Sequence, residues 1–121
     1  MFALNTSNLA RSALLACFAL AGAPVLADEL CPKYGNCVPE AAFDCQDVDR
    51  SSVVKRVCYN EEKSYLIIRL TSAYYHYCEI DKTTVGQFLA ADSMGSFYSS
   101  NIKDSGTGGA FSCKGKTVPT F

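Results

Sequence analysis

The chain has 121 residues, 11 basic and 12 acidic side chains for a net charge of −1, and seven cysteines without a tryptophan. That length allows one domain with a modest core rather than two, and the near-neutral balance argues against a generic nucleic-acid binder, which carries a basic excess.

Arg11 is the only charge before residue 28, and it precedes the apolar stretch Ala13 to Ala27, which ends Val25-Leu26-Ala27 ahead of Asp28-Glu29. A basic residue, an apolar run of about 15 residues and a small-residue end predict a secretory signal peptide over residues 1–27, cleaved after Ala27. The run is too short for a membrane anchor, which needs roughly 20 residues. Leu14-Leu15-Ala16-Cys17 also resembles a lipoprotein cleavage site, but the apolar run continues well past Cys17 and little precedes it, so lipidation there is not expected. The expected product is periplasmic or secreted, starts at Asp28 and has no second apolar run able to span a membrane. Arg11 leaves with the leader, so residues 28–121 hold ten basic and twelve acidic side chains, a net charge of −2.

Cleavage also removes Cys17 and leaves Cys31, Cys37, Cys45, Cys58, Cys78 and Cys113. An even number in an exported chain of this size predicts up to three disulfides and no free thiol, with the pairing open among about 15 arrangements. A metal site is the rival reading, but there is no Cys-x-x-Cys and only one histidine, so no metal and no cofactor are expected.

Residues 28–49 contain three of those cysteines, Pro32, Gly35 and Pro39, and six acidic residues against Lys33 alone, a net −5. They predict a disulfide-held arm rather than regular structure, with one helical turn allowed at Pro39-Glu40-Ala41-Ala42-Phe43. The following residues 50–103 carry seven basic and five acidic side chains, +2. The acidic arm either lies over a basic face of this segment or forms a solvated surface.

Ser51-Ser52-Val53-Val54-Lys55-Arg56-Val57-Cys58-Tyr59 and Ser64-Tyr65-Leu66-Ile67-Ile68-Arg69-Leu70 are rich in β-branched and aromatic residues, and the polar break Asn60-Glu61-Glu62-Lys63 between them signals a hairpin. In the second strand Leu66, Ile68 and Leu70 share one face, predicted as core, and Tyr65, Ile67 and Arg69 share the other. Thr71-Ser72-Ala73 allows only a tight reversal, so Tyr74-Tyr75-His76-Tyr77 returns antiparallel beside it, with Tyr75 and Tyr77 on one face. Asp81 is placed to cap a helix in which Val85, Phe88 and Leu89 form the buried stripe. Gly95 is expected to end that helix, and a second short one fits Ser96 to Lys103. Residues 104–121 are rich in Gly and Ser and predict a flexible tail tethered by Cys113. The whole is an α+β fold: a three-stranded antiparallel meander, then one or two helices, between a disulfide-held arm and a Gly-rich tail.

Ser51-Ser52, Val54, Val57, Tyr59-Asn60, the alternating Leu66, Ile68 and Leu70, the pair Tyr75 and Tyr77, then Leu89, Ala91, Ser93, Gly95 and Ile102 together resemble the KTSC domain over residues 50–103. That domain occurs at the C-terminus of some lysyl-tRNA synthetases and as single-domain bacterial proteins, and carries a central Tyr-x-Tyr. Its function is not established; the association with the synthetase has suggested RNA binding. The resemblance also leads one to expect Gly before the tyrosine strand, where this chain has Thr71-Ser72-Ala73, and Gly after Val57, where it has Cys58. A cytoplasmic tRNA-linked role is closed to an exported chain.

Tyr75 and Tyr77, with Tyr65 or Arg69 on the neighbouring strand, are the candidates for an aromatic ligand platform, against the alternative that they pack beneath a helix with bonded hydroxyls. His76, the single histidine, is the candidate acid or base, against the alternative of a half-buried strand residue. A hydrolase needs a second such group, and none stands at a recognisable spacing. Ala110-Phe111-Ser112-Cys113-Lys114-Gly115-Lys116-Thr117 satisfies only the loosest phosphate-loop pattern and lacks the following helix that the chemistry requires. The expected function is a non-enzymatic binding module of the bacterial cell envelope, with an unknown envelope protein or polymer as partner and no catalytic residues. Its alternatives are RNA binding, expected to be weak or absent, and a small secreted hydrolase or toxin using His76.

Overall fold

The computed structural model describes residues 28–121; the expected leader, with Cys17 and the cleavage point after Ala27, lies outside the described residues. Six strands are formed in chain order: β1 (Glu29–Leu30), β2 (Val38–Pro39), β3 (Asp44–Asp47), β4 (Val54–Asn60), β5 (Tyr65–Leu70) and β6 (Ala73–Tyr77). Three helices follow, α1 (Lys82–Ala90), α2 (Met94–Asn101) and α3 (Asp104–Thr107).

The predicted meander is β4-β5-β6, antiparallel throughout, with Ile68 opposite Tyr75 and Leu66 opposite Tyr77. Its reversals use positive φ: Ser64 at 51° closes the first hairpin and Thr71 at 57° the second. Thr71 therefore adopts the left-handed conformation that glycine takes without strain, at the place where the resemblance leads one to expect glycine. A register shift between Val54 and Arg56 inserts an extra residue in β4. Without that bulge Val54 and Val57 would face opposite ways; with it both reach the same core.

The sheet has four strands, in the order β3-β4-β5-β6, which corrects the three-stranded expectation. The fourth comes from the arm: Asp44–Asp47 pairs antiparallel with β4, Cys45 opposite Cys58. Its sequence, Asp-Cys-Gln-Asp, lacks the apolar alternation that marks a strand, because as an edge it buries almost nothing. The arm is regular elsewhere too, with β1 paired to β2 and a 3-10 turn at Glu40–Ala42.

Asp81 caps α1 as expected, accepting a hydrogen bond from the Thr84 N–H at 3.0 Å, and Val85 and Phe88 are buried. The helix ends at Ala90, however, and Gly95 lies in the first turn of α2, capped by Ser93, whose hydroxyl accepts from the Ser96 N–H at 3.2 Å. The tail, predicted as loop, contains α3, terminated by Gly108 at φ 70°.

Both faces of the sheet are buried. One packs Val54, Val57, Leu66, Ile68 and Tyr77 against Val85, Phe88, Met94, Tyr98 and Ile102 of the helical side. The other was expected to be the outer face, yet Tyr65 and Ile67 are fully buried there with Leu30, Val38, Cys58, Cys78 and Cys113. Leu30, Val38 and Ile67 each contribute about 1.5–3 kcal/mol by leaving water, so the arm and tail complete a second core. Disulfides Cys31–Cys37, Cys45–Cys58 and Cys78–Cys113 staple them. The acidic arm meets a basic position of the sheet: Arg56 lies 2.6 Å from Glu40 and 3.1 Å from Asp47. Among the described residues no helix is long and apolar enough to cross a membrane.

Candidate binding site at the edge of the sheet

β6 is an edge strand, and beside it opens a cleft of about 490 Å³. Three parts of the chain wall it. The strand supplies Tyr75, His76 and Tyr77, the arm supplies Lys33 and Tyr34, and the segment after α2 supplies Asp104, Ser112, Cys113, Lys114 and Val118.

The loop carrying Lys33 and Tyr34 is closed by the Cys31–Cys37 disulfide and by the β1–β2 pairing. Tyr34 sits at its tip with φ 69° and is 86% exposed. A tyrosine held in the left-handed region is strained, and this tip presents its aromatic ring to solvent. The Lys33 ammonium lies 5.8 Å from the Tyr34 ring centroid and 6.0 Å from that of Tyr75, within cation–π range of both.

His76 is set by its neighbours on the covered face. Its Nδ1 lies 2.7 Å from the Tyr65 hydroxyl. Burial pushes the Tyr65 hydroxyl up to about 12, so it keeps its proton and stays a neutral hydrogen-bond partner of Nδ1. His76 is in turn lowered from 6.5 by burial, which favours the neutral ring. Gly35 approaches that ring closely: a Cβ there would stand 2.7 Å from His76 Cε1.

The predicted platform is not formed as one surface. Tyr75 and Tyr77 share the helical face, and Tyr65 and Arg69 point to the other, because the register sets Ile68 and Leu66 opposite the tyrosines. Tyr77 is buried, its hydroxyl 2.5 Å from that of Tyr98, and burial with this bond pushes its pKa up. Tyr65 is fully buried under the arm, and Arg69 lies cross-strand from both Tyr74 and Arg56. Of the five candidates, Tyr75, Tyr77 and His76 are brought to the cleft, the last from the opposite face; an edge position lets both faces contribute.

Lys33, Tyr34, Asp104 and Lys114 were missed from sequence. The available signal was Lys33-Tyr34, the one cation of an acidic arm beside an aromatic inside a six-residue cysteine spacing. The phosphate-loop-like run is irregular here, with Lys116 Nζ donating to the Ala110 carbonyl at 2.7 Å and Lys114 at the cleft.

A second hollow gathers Ser51, Ser52, Ser93 and Gly95, residues that carried the resemblance. Their polar atoms work within the fold: the Ser51 hydroxyl accepts from the Val53 and Val54 N–H groups at 3.2 and 3.0 Å, and Ser93 caps α2. The motif thus marks how this α+β unit turns and caps, and the sequence comparison agrees, the KTSC domain family matching residues 50–105. Residues 50–105 are a KTSC domain. The crystal structure of a KTSC domain protein from Yersinia pestis is similar at 27% identity, over 51% of this chain and 87% of that one, with a TM-score of 0.49. No curated protein matches.

The cysteine arm and the segment past residue 105 lie outside the KTSC domain, and every disulfide uses at least one of their cysteines. The domain provides the edge strand and Asp104; the flanking segments provide Lys33, Tyr34 and Lys114. The cleft therefore belongs to this elaborated chain and not to the KTSC domain alone.

Proposed function

We propose that this KTSC domain protein is exported after cleavage behind Ala27 and acts in the bacterial cell envelope as a non-enzymatic binding module whose ligand seat is the β6 cleft. The observation that carries the reading is the assembly of that cleft from three separate parts of the chain around a strained, exposed Tyr34. Three disulfides suit an oxidising compartment, and an aromatic-walled cleft with a few polar groups suits ligand binding.

Hydrolysis centred on His76 is less well supported. Nδ1 is engaged by Tyr65, and burial holds the ring neutral. RNA binding is opposed by charge: residues 28–121 sum to −2, and Glu40 and Asp47 sit on Arg56. The test is affinity capture from a periplasmic extract with the oxidised protein and with Tyr34→Ser and His76→Gln variants. The reading expects a partner retained by wild type and lost with Tyr34→Ser. A partner held equally by Tyr34→Ser would refute it, and a hydrolytic activity lost in His76→Gln would favour the enzyme.

A further inference from the structure

What the cleft would hold follows from the backbone that lines it, and the inference rests on the binding function proposed above. Thr71 and Ser72 form a two-residue turn, which makes Leu70 and Ala73 a hydrogen-bonded pair. Pairing alternates along an antiparallel ladder, so the N–H and C=O groups of Tyr74 and His76 point away from β5, out of the sheet. Two outward groups at the ends of this edge are already taken. The Lys33 N–H donates to the Tyr74 carbonyl at 2.8 Å, and the Cys78 N–H donates to the Phe111 carbonyl at 2.8 Å. Between them, among the described residues, no group bonds to the N–H or C=O of His76.

A donor and acceptor pair left open on a sheet edge is a template for one residue of an added strand. From residue 74 to residue 78 is about 13 Å at roughly 3.3 Å per residue, so about three extended residues fit before the ligand meets Lys33 or Phe111. A chain cannot continue in the plane of the sheet past either block, and a segment that ends within the cleft meets neither. Charge selects which end. Lys33 and Lys114 line the cleft against Asp104, an excess of one cation that favours a carboxylate over an ammonium group. Tyr34 and Tyr75, either side of the Lys33 ammonium, offer apolar walls to the ligand's side chains.

We propose that the cleft captures the free C-terminal end of an extended peptide, one residue of which pairs with the N–H and C=O of His76 while its carboxylate meets Lys33 or Lys114. The experiment titrates the purified, oxidised protein against two arrays of N-acetylated tripeptides of mixed sequence, identical except that one ends in free carboxylates and the other in amides. Binders are expected in the carboxylate array, with their amidated counterparts weaker by about tenfold or more, the loss of one charge-assisted hydrogen bond. The best binder should slow amide exchange at His76, and Lys33→Ala with Lys114→Ala should erase the preference for carboxylate while the disulfides stay intact. An empty carboxylate array, equal binding of the amides, or binding that leaves exchange at His76 unchanged would overturn the proposal. Failure here alone would leave partner capture dependent on Tyr34, whereas failure of the binding module itself would leave capture indifferent to Tyr34→Ser.

Discussion

Tyr77 and Tyr98 share one hydrogen bond inside the main core, 2.5 Å between hydroxyls, and each is the other's only side-chain partner among the described residues. Replacing one by Phe strands the second hydroxyl, so Tyr77→Phe or Tyr98→Phe is expected to destabilise by about 1–3 kcal/mol, while the double Phe variant should lie closer to wild type than the singles imply. Urea unfolding of the four proteins checks this cycle. His76 gives a pH dependence. Its value in the folded protein is lowered from 6.5 by burial, so below about pH 6.5 the unfolded chain binds more protons than the folded one. Stability is therefore complete above that pH and is lost as pH falls through the unfolded value towards the folded one. As the single histidine, His76 dominates the window between about pH 7.5 and 5, and unfolding free energies measured across it should flatten in His76→Gln, where the amide can still accept from Tyr65.

The meander, the Asp81 cap and the Val85–Phe88 stripe were legible because each has a local signature: alternation, a capping side chain, a helical period. The fourth strand and α3 were not, since their signals come from contact with other elements. β3 is polar and takes its place from the Cys45–Cys58 pairing, and α3 packs against α2 through Gly106, where a Cβ would come 1.9 Å from the Ser99 carbonyl oxygen. Gly106→Ala is accordingly expected to destabilise by about 1–3 kcal/mol by forcing the two backbones apart. Gly86 is the control: it sits in α1 with nothing within 4 Å of an added Cβ, and Gly86→Ala should stabilise by about 0.5–1 kcal/mol. Thermal unfolding of both variants separates a glycine needed for close approach from one that only weakens its helix. The covered face of β5 was hidden for a similar reason. Tyr65 and Ile67 look like an outer face until the arm is laid over them, and nothing in β5 itself announces that cover. The same holds for the cleft: Tyr75 and His76 were visible as candidates, but Lys33, Tyr34 and Lys114 join them only through the disulfides and the edge contacts of Lys33 and Phe111.

At the scale of the molecule, arm and tail turn a KTSC domain into a sheet covered on both faces, with one edge partly open. The acidic residues that accompany this cover leave residues 28–121 at −2, and few phosphates can be neutralised at once. RNA binding near physiological salt is expected to be weaker than about 10–100 µM, and a filter-binding titration giving tight, salt-sensitive retention would contradict it. The proposed ligand contact is confined to the β6 cleft. Its most direct test is site-specific photocrosslinking in intact cells, with a photoreactive residue placed at Tyr34 in the cleft or at Ser100, exposed on α2 beside the second hollow. A discrete adduct is expected from position 34 and none from position 100; an adduct from position 100 alone would place the ligand away from the cleft.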